Sequence, residues 1–183
     1  MIIGITGTLG AGKGTIVEYL KSKGFKHYSA RDFITQEIVR RGMPVNRDSM
    51  VEIGNDLRAK NGASYVLEEL YKRAVVGGGD CILESIRTVG EVEALRKKNN
   101  FYLLAVDADP KLRYKRIVVR GSSTDRISFE DFVANEKREC ESEDPAKQNL
   151  TKCIALADFK LENNGTVEEL NKQVEEVLAK IYN

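Results

Sequence analysis

Short apolar runs alternate with longer amphipathic stretches along this chain, a pattern that predicts strands alternating with helices. The first run is rich in β-branched residues, as is typical of a strand buried on both faces. The alternation favours a three-layer α/β domain with a mainly parallel five-stranded sheet, and 183 residues suit a single domain. The predicted strands are Ile2–Ile5, Phe25–Ser29, Asp80–Glu84, Phe101–Val106 and Asp158–Glu162.

Between the second and third predicted strands the period is helical from Asp32 to about Val76. Gly42–Pro44 and Asn61–Gly62 break this stretch, which predicts three inserted helices. The later helices begin at recognisable caps. The predicted helix starts are Ser29, Asp109–Pro110, Ser128 and the capping box Thr166–Glu169.

A glycine-rich turn joins the first strand to the first helix and fits a phosphate-binding loop. Gly7-x-x-x-x-Gly12-Lys13 has the spacing at which backbone N–H groups and a helix N-terminus converge on an anion. The hydroxyl expected directly after the lysine is missing at Gly14 and stands one residue later. A tight turn that is merely rich in glycine is the alternative interpretation. The candidate nucleotide-binding residues are Gly7, Thr8, Leu9, Gly10, Ala11, Gly12, Lys13, Gly14 and Thr15.

The stretch Gly12-Lys13-Gly14-Thr15 resembles the phosphate-binding loop of adenylate kinases and related nucleoside monophosphate kinases. The order of elements looks like the P-loop nucleotide kinase superfamily across nearly the whole chain. This resemblance implies ATP as the phosphoryl donor and Mg²⁺ as cofactor. It further implies that Lys13 holds the donor phosphates, that Thr15 helps to place Mg²⁺, that residues 30–76 bind the acceptor and that residues 116–145 form a short lid.

Three arginines follow one another on one face of the helix after Asp109. Residues 111–120 contain five basic residues and no acidic one, whereas solvated helices usually interleave the two signs. We therefore predict that Arg116 and Arg120, with Arg113 less central, clamp a transferring phosphoryl group. A solvated basic face is the alternative. Arg126 and Arg138 are further lid candidates.

Acceptor-binding candidates lie where parallel strands end. Arg31 and Asp32 follow the second strand, and Glu84 and Arg87 follow the third. Glu84 and Arg87 resemble the acid and the arginine of the Asp-Gly-x-Pro-Arg motif of nucleoside monophosphate kinases, although the glycine and the proline are absent. An ion pair of Glu84 with an arginine is the alternative. Arg58 has two interpretations. Its charge either stabilises the negative end of the helix dipole, or it binds the phosphate of the acceptor.

The predicted reaction is transfer of the γ-phosphoryl group of ATP to a small acceptor, a nucleoside or deoxynucleoside monophosphate. Dephospho-coenzyme A kinases are the second resemblance, carried by Val106–Ala108, by the arginine helix and by Ala157–Gly165, and they imply that the turn Asn163–Gly165 lies against the donor adenine. A hydroxyl acceptor would need a base, for which Asp32 and Glu84 are the candidates. A nucleotide-binding sensor or docking module with little kinase activity is the hypothesis of another class.

The composition of the chain bears on which binding partners are expected. Lys and Arg number 29 and Asp and Glu 28, so no charge excess favours nucleic acid or a membrane surface. Three cysteines without Cys-x-x-Cys spacing predict free thiols rather than a zinc site. The chain enters its first strand at once, which predicts a cytoplasmic protein without a targeting segment. We expect the protein to be a monomer or a homodimer. The single histidine, His27, is interpreted as structural.

Overall fold

The computed structural model describes residues 1–121, 127–140 and 147–182. Within these ranges the strands form one sheet in the order β2-β3-β1-β4-β5, and every paired neighbour is parallel. The predicted α/β fold with a five-stranded parallel sheet is therefore confirmed. The strands are β1 (Ile2–Gly7), β2 (Lys26–Ser29), β3 (Cys81–Glu84), β4 (Phe101–Asp107) and β5 (Phe159–Glu162).

Helices cover both faces of the sheet, because adjacent residues of the inner strands point to opposite sides. Leu83 and Leu103 pack into one apolar cluster with the inserted helices, while Ile82 and Leu104 pack into the other with the first and last helices. The helices are α1 (Lys13–Ser22), α2 (Ala30–Arg40), α3 (Arg47–Asn61), α4 (Tyr65–Gly77), α5 (Val89–Arg96), α6 (Pro110–Arg120), α7 (Phe129–Cys140), α8 (Leu150–Ala155) and α9 (Val167–Tyr182).

The caps that the sequence predicts set several of these boundaries. The hydroxyl of Ser29 accepts a hydrogen bond from Asp32 N at the start of α2, and the Asp109 carboxylate caps α6 with a proline in its first turn. Thr166 and Glu169 form the predicted reciprocal box before α9. The helical insertion predicted between β2 and β3 is confirmed as α2, α3 and α4, with breaks where Gly42–Pro44 and Gly62 interrupt the period.

One short helix was not predicted. The six-residue α8 is capped by Asn149 and packs against α7 and against β1. The helix that follows Arg87, α5, ends at Arg96, and Asn100 takes a positive φ of 62° before β4. Residues 122–126 and 141–145 of the predicted lid lie outside the described residues. In the part of the chain that is described, no helix has the length and apolarity to cross a membrane.

Candidate active site

A cavity of about 600 Å³ opens at the carboxyl edge of the sheet, where the phosphate-binding loop meets the inserted helices. One side, which is predicted to bind the phosphoryl donor and is called the donor side below, is formed by the loop from Leu9 to Thr15 and by α6. The opposite side, which is predicted to bind the acceptor and is called the acceptor side, is formed by the start of α2, one face of α3, the residues after β3, and α7. The lining side chains that bear charge are Lys13, Arg31, Arg47, Arg58, Glu84, Arg87, Arg116, Arg120 and Glu139.

Glycine is required at two turns of the loop, because other parts of the protein come within contact distance. Gly7 has φ 144°, and a Cβ built there would lie 2.1 Å from the carbonyl oxygen of Val106. Gly12 has φ 110°, and its Cβ would lie 2.2 Å from Asn163 Nδ2. A side chain at either position would strain the backbone and overlap a neighbour. The loop is therefore fitted to β4 on one side and to the turn after β5 on the other.

The ammonium group of Lys13 donates hydrogen bonds to carbonyl oxygens at the start of the loop itself. Nζ lies 2.7 Å from Gly7 O and 2.8 Å from Thr8 O. Burial first, and then the positive charge of Arg87, lower the pKa of Lys13 from 10.5 to about 7. Glu84 and Glu139 oppose this shift, which shows that both carboxylates lie near the lysine. An anionic phosphate placed beside Nζ would favour the charged form.

Asn163 joins the last loop to the donor side. Its Nδ2 donates to Ala11 O at 2.8 Å, and its backbone N–H donates to Asp107 O. Arg116 Nη1 donates to Asn163 O at 2.8 Å, so this arginine is held against the same turn. The predicted contact of the turn with adenine stays a prediction, but the turn does lie beside the phosphate-binding loop.

Arg113 does not join the predicted clamp, because protein groups satisfy its guanidinium. The side chain is 3% exposed. Its Nε donates to Ala108 O at 2.8 Å and its Nη1 lies 2.6 Å from the carboxylate of Glu136 on α7. A longer bond from Nη1 reaches Leu9 O in the phosphate-binding loop. The prediction that this face lacks compensating acids was wrong at Arg113, since Glu136 on α7 and Asp107 at the end of β4 both lie beside its guanidinium.

Glu84 reaches the cavity from the end of β3, with His27 of β2 beside it. His27 Nε2 lies 3.1 Å from Glu84 Oε2. Burial would raise the pKa of Glu84, but the hydrogen bond to His27 and the charges of Lys13 and Arg87 together lower it. The lowered pKa keeps the carboxyl group of Glu84 ionised at neutral pH. Ser85, which follows it, has φ 71°, a left-handed conformation at the place where the resembling motif carries glycine.

Glu139 binds two arginines of the acceptor side, and the sequence did not single it out. Its Oε2 accepts from Arg87 Nη1 at 2.5 Å, and its Oε1 accepts from Arg47 Nη2. Arg87 Nη1 also donates to Gln148 Oε1 at 2.9 Å. Glu139 is only 4% exposed, although its helix carries many acidic and basic residues of the kind that usually lie in solvent. Burial alone would raise the pKa of Glu139, but Arg87 and Arg47 lower it.

Arg58 is buried, although it belongs to the last turn of α3. It is 1% exposed, and its Nε donates to Oε1 of the fully buried Glu91 at 2.8 Å. Oε2 of Glu91 accepts the backbone N–H groups of Arg87 and Thr88. The dipole interpretation of Arg58 therefore misses its main interaction, which is a buried ion pair with the cap of α5. Its predicted contact with an acceptor phosphate stays a prediction.

The remaining candidates divide between the cavity and the surface. Arg31 and Arg120 are exposed residues that line the cavity, and both have further interactions within the protein. Asp32 is exposed on the first turn of α2 and is not among the residues that line the cavity. Arg138 is paired with Asp48 on the surface, and Arg126 lies outside the described residues. The prediction that Asp32 belongs to the site is thus not supported by its position.

A magnesium ion would find few ready-made ligands on the protein. Among the described residues, no group of three or more His, Cys, Asp or Glu side chains could hold a metal. The hydroxyl of Thr15 and the carboxylate of Glu84 line the same cavity, however, and hard cations prefer such oxygens. This donor set fits Mg²⁺, which commonly takes one or two protein oxygens and completes its shell with nucleotide phosphates and water.

Comparisons with known proteins agree with this geometry. The chain matches the AAA domain family over residues 3–144. A UPF0200 protein of Methanocaldococcus jannaschii is 30% identical over 191 aligned positions, which cover 100% of this chain and 91% of that protein. The crystal structure of TT1252 from Thermus thermophilus has a TM-score of 0.61 at 22% identity and covers 98% of this chain and 97% of its own. Shikimate kinase from Bacteroides thetaiotaomicron has a TM-score of 0.59 at 12% identity and covers 98% of both chains. The chain therefore belongs to the AAA domain and UPF0200 families, and its fold is that of the P-loop kinase superfamily.

Proposed function

We propose that this protein transfers the γ-phosphoryl group of ATP, with Mg²⁺, to the phosphate of a nucleoside or deoxynucleoside monophosphate. One observation carries the proposal: the same cavity is lined by a phosphate-binding loop with Lys13 on one side and by several arginines on the other. Cations on both sides of the reacting centre suit a reaction in which donor and acceptor are both anionic. The kinase fold of the structural neighbours supports the same reaction type.

The residues of this chain supply positioning and charge rather than covalent chemistry. The amides of the loop and Lys13 hold the donor phosphates, and Arg116 and Arg120 approach them from α6. Thr15 and Glu84 would hold Mg²⁺, whose charge offsets that of the phosphates. A phosphate acceptor is ionised near neutral pH and needs no general base.

Arg87 and Arg47 are placed to bind the acceptor's phosphate. Both side chains line the cavity, and both are bound to Glu139 in this structure. An acceptor phosphate would compete with that carboxylate for the same guanidinium groups. Glu139 thereby holds the two arginines in place and offsets part of their positive charge until the acceptor arrives.

A hydroxyl acceptor such as dephospho-coenzyme A is the second candidate, and the contact between His27 and Glu84 favours it. A lowered pKa leaves Glu84 ionised, and His27 fixes the orientation of its carboxylate beside Lys13. An ionised carboxylate can accept a hydroxyl proton, although its lowered pKa makes Glu84 a weak base.

The deciding experiment is transfer of label from γ-labelled ATP, with Mg²⁺, to a panel of ribo- and deoxyribonucleoside monophosphates and dephospho-coenzyme A. The control is Lys13→Met, which removes the ammonium group and keeps an unbranched side chain that is shorter by one heavy atom. Label in a monophosphate that depends on Lys13 supports the proposal, and label in coenzyme A supports the second candidate. ATP binding without label in any member of the panel would favour the nucleotide sensor.

A further inference from the structure

The buried ion pair of Arg58 and Glu91 leaves one guanidinium nitrogen without a partner. Arg58 Nε is bound to Glu91, but Nη2 has no hydrogen-bond partner among the residues that the structure describes. A buried donor left unsatisfied loses the hydrogen bonds that it would make to water, which destabilises the folded state. Since Arg58 also lines the cavity, a bound molecule that offers an oxygen would remove this destabilisation.

The surroundings of this guanidinium differ from those of the reacting centre. The neighbouring charges that shift the pKa of Lys13 most belong to Arg87, Glu84, Glu139 and Arg120, and Arg58 is not one of these neighbours. Arg58 instead folds back along α3, as long helical side chains do. Its Nη1 lies 3.1 Å from the position that a Cβ on Gly54 would take, so this glycine makes room for the guanidinium.

Apolar side chains flank Arg58 on the cavity wall. Ile34 Cδ1 lies 3.3 Å from the same point above Gly54, on the side of α2. Met50, one turn before Gly54, and Ile34 both line the cavity. Two aliphatic side chains with a polar donor at their edge suit a flat heterocyclic ring better than a hydrated phosphate, because pockets use a few polar groups to orient an apolar body.

We infer that Arg58 reads the base of the acceptor, with Nη2 donating to an exocyclic carbonyl oxygen, and that oxo bases are preferred over amino bases. This inference rests on the proposed nucleoside monophosphate acceptor and names its subclass. Arginine carries donors only, so an exocyclic amino group, itself a donor, would leave both groups unpaired. Sites built to hydrogen-bond a substrate discriminate strongly for this reason.

Two pairs of nucleotides isolate the group in question. Inosine and adenosine monophosphates differ in a 6-oxo or 6-amino group and in the proton on the adjacent ring nitrogen. Uridine and cytidine monophosphates differ in the same way at position 4. Their dissociation constants are measured by calorimetry, with the donor side saturated by Mg²⁺ and a non-hydrolysable ATP analogue. We expect the oxo member of at least one pair to bind about tenfold more tightly, the ratio that ~1.4 kcal/mol gives, within the range for one unpaired buried donor.

Variants then test whether Arg58 is the cause. Arg58→Met alone would leave Glu91 buried with a charge that lacks its counter-ion, so the test uses the double variant Arg58→Met/Glu91→Gln. Its matched control is Arg41→Met/Glu37→Gln, which removes an ion pair of the same helical region outside the cavity. We expect the oxo-to-amino ratio to fall towards one in the first variant and to stay unchanged in the control, with the affinity for the ATP analogue retained in both.

Each remaining outcome contradicts the inference in a distinguishable way. Equal binding of oxo and amino members by the wild-type protein, or a preference that survives in the double variant, overturns the role of Arg58 while transfer to monophosphates still stands. If none of the four nucleotides binds and none is phosphorylated, the proposed acceptor class fails, and the inference fails with it. Loss of affinity for the ATP analogue in the double variant would assign Arg58 to the structure of the domain instead.

Discussion

The two sides of the cavity are built by different means. The donor side is a continuous loop whose backbone is shaped by glycines and whose lysine donates to that same loop. The acceptor side is built from charged side chains of α3, α7 and the segment after β3, which satisfy one another across the cavity. Backbone N–H groups of a rigid loop are in place before a ligand binds. The arginines of the acceptor side must first give up their ion pairs with Glu139, so only a ligand that replaces those interactions should bind well.

Arg116→Ala should produce the largest effect on the donor side. Arg116 lines the cavity and is held by Asn163 O. If it stabilises charge on the transferring group, its loss should lower the transfer rate about 10²-fold or more, as for other preorganised donors. ATP affinity should change far less, because the loop and Lys13 remain. Single-turnover transfer and ATP binding are measured together, and an unchanged transfer rate would rule out the clamp.

Lys115→Ala is the matched control for that experiment. Lys115 is the exposed neighbour of Arg116 on α6 and is not among the residues that line the cavity. A variant at this position changes the charge by the same amount on the same helix. A comparable fall in rate for both variants would mean that the helix, rather than the position of Arg116, is at fault.

On the donor side, Gly12→Ala should lower both the stability of the protein and its affinity for ATP, although it adds only one methyl group. The residue has φ 110°, and the added Cβ would lie 2.2 Å from Asn163 Nδ2. We expect a loss of about 3 kcal/mol in the free energy of unfolding from strain and overlap, and weaker ATP binding. Denaturant unfolding and ATP titration measure the two effects.

Gly14→Ala provides the comparison within the same loop. Gly14 lies in the first turn of α1, and a Cβ there meets nothing within 4 Å. Alanine should leave the free energy of unfolding unchanged or raise it slightly, since it favours the helix. Equal destabilisation by the two variants would show that glycine at position 12 is not required for the fit with Asn163.

The same contrast explains what could be predicted from the sequence. Fifteen consecutive residues contain the donor loop with its strand and its first helical residues, so spacing alone located it. The partners of the acceptor side are distant, with Arg47 and Glu139 separated by 92 residues and Arg58 and Glu91 by 33. Each arginine could be noted as a cation, but the folded chain decides which acid neutralises it. The acidic and basic residues around Glu139 therefore gave no local sign of its burial, and nothing near Glu91 in the sequence marked it as the partner of Arg58.

On the acceptor side, Glu139→Gln should lower the stability of the protein and at the same time strengthen the binding of phosphate. The amide keeps one hydrogen-bond acceptor but leaves Arg47 and Arg87 with less negative charge around them. We expect the free energy of unfolding to fall by about 2 kcal/mol, less than the 3–5 kcal/mol for removal of a whole partner. Inorganic phosphate and acceptor nucleotide should bind several-fold more tightly, because they no longer compete with a carboxylate.

Glu130→Gln is the control on the same helix, since Glu130 is exposed. It should change neither quantity by more than about 0.5 kcal/mol. Weaker phosphate binding by Glu139→Gln, with the fold intact, would mean that Glu139 positions the arginines for the ligand and does not compete with it.

The smallest expected effect is the contribution of Glu139 to stability in acid. Arg87 and Arg47 hold the pKa of this carboxyl below its ordinary value in the folded protein, in spite of its burial. The unfolded chain therefore binds a proton at a higher pH than the folded protein does. The stabilisation is complete above the ordinary pKa of glutamate and is lost as the pH falls through the lowered pKa of the folded state. Glu139→Gln should accordingly have a flatter acid limb in a plot of unfolding free energy against pH. The donor side has no such carboxylate in its loop, so Gly14→Ala should keep the acid limb of the wild-type protein. Parallel acid limbs for Glu139→Gln and the wild type would mean that the two arginines do not lower this pKa, and the picture of a charge-balanced acceptor side would then fail.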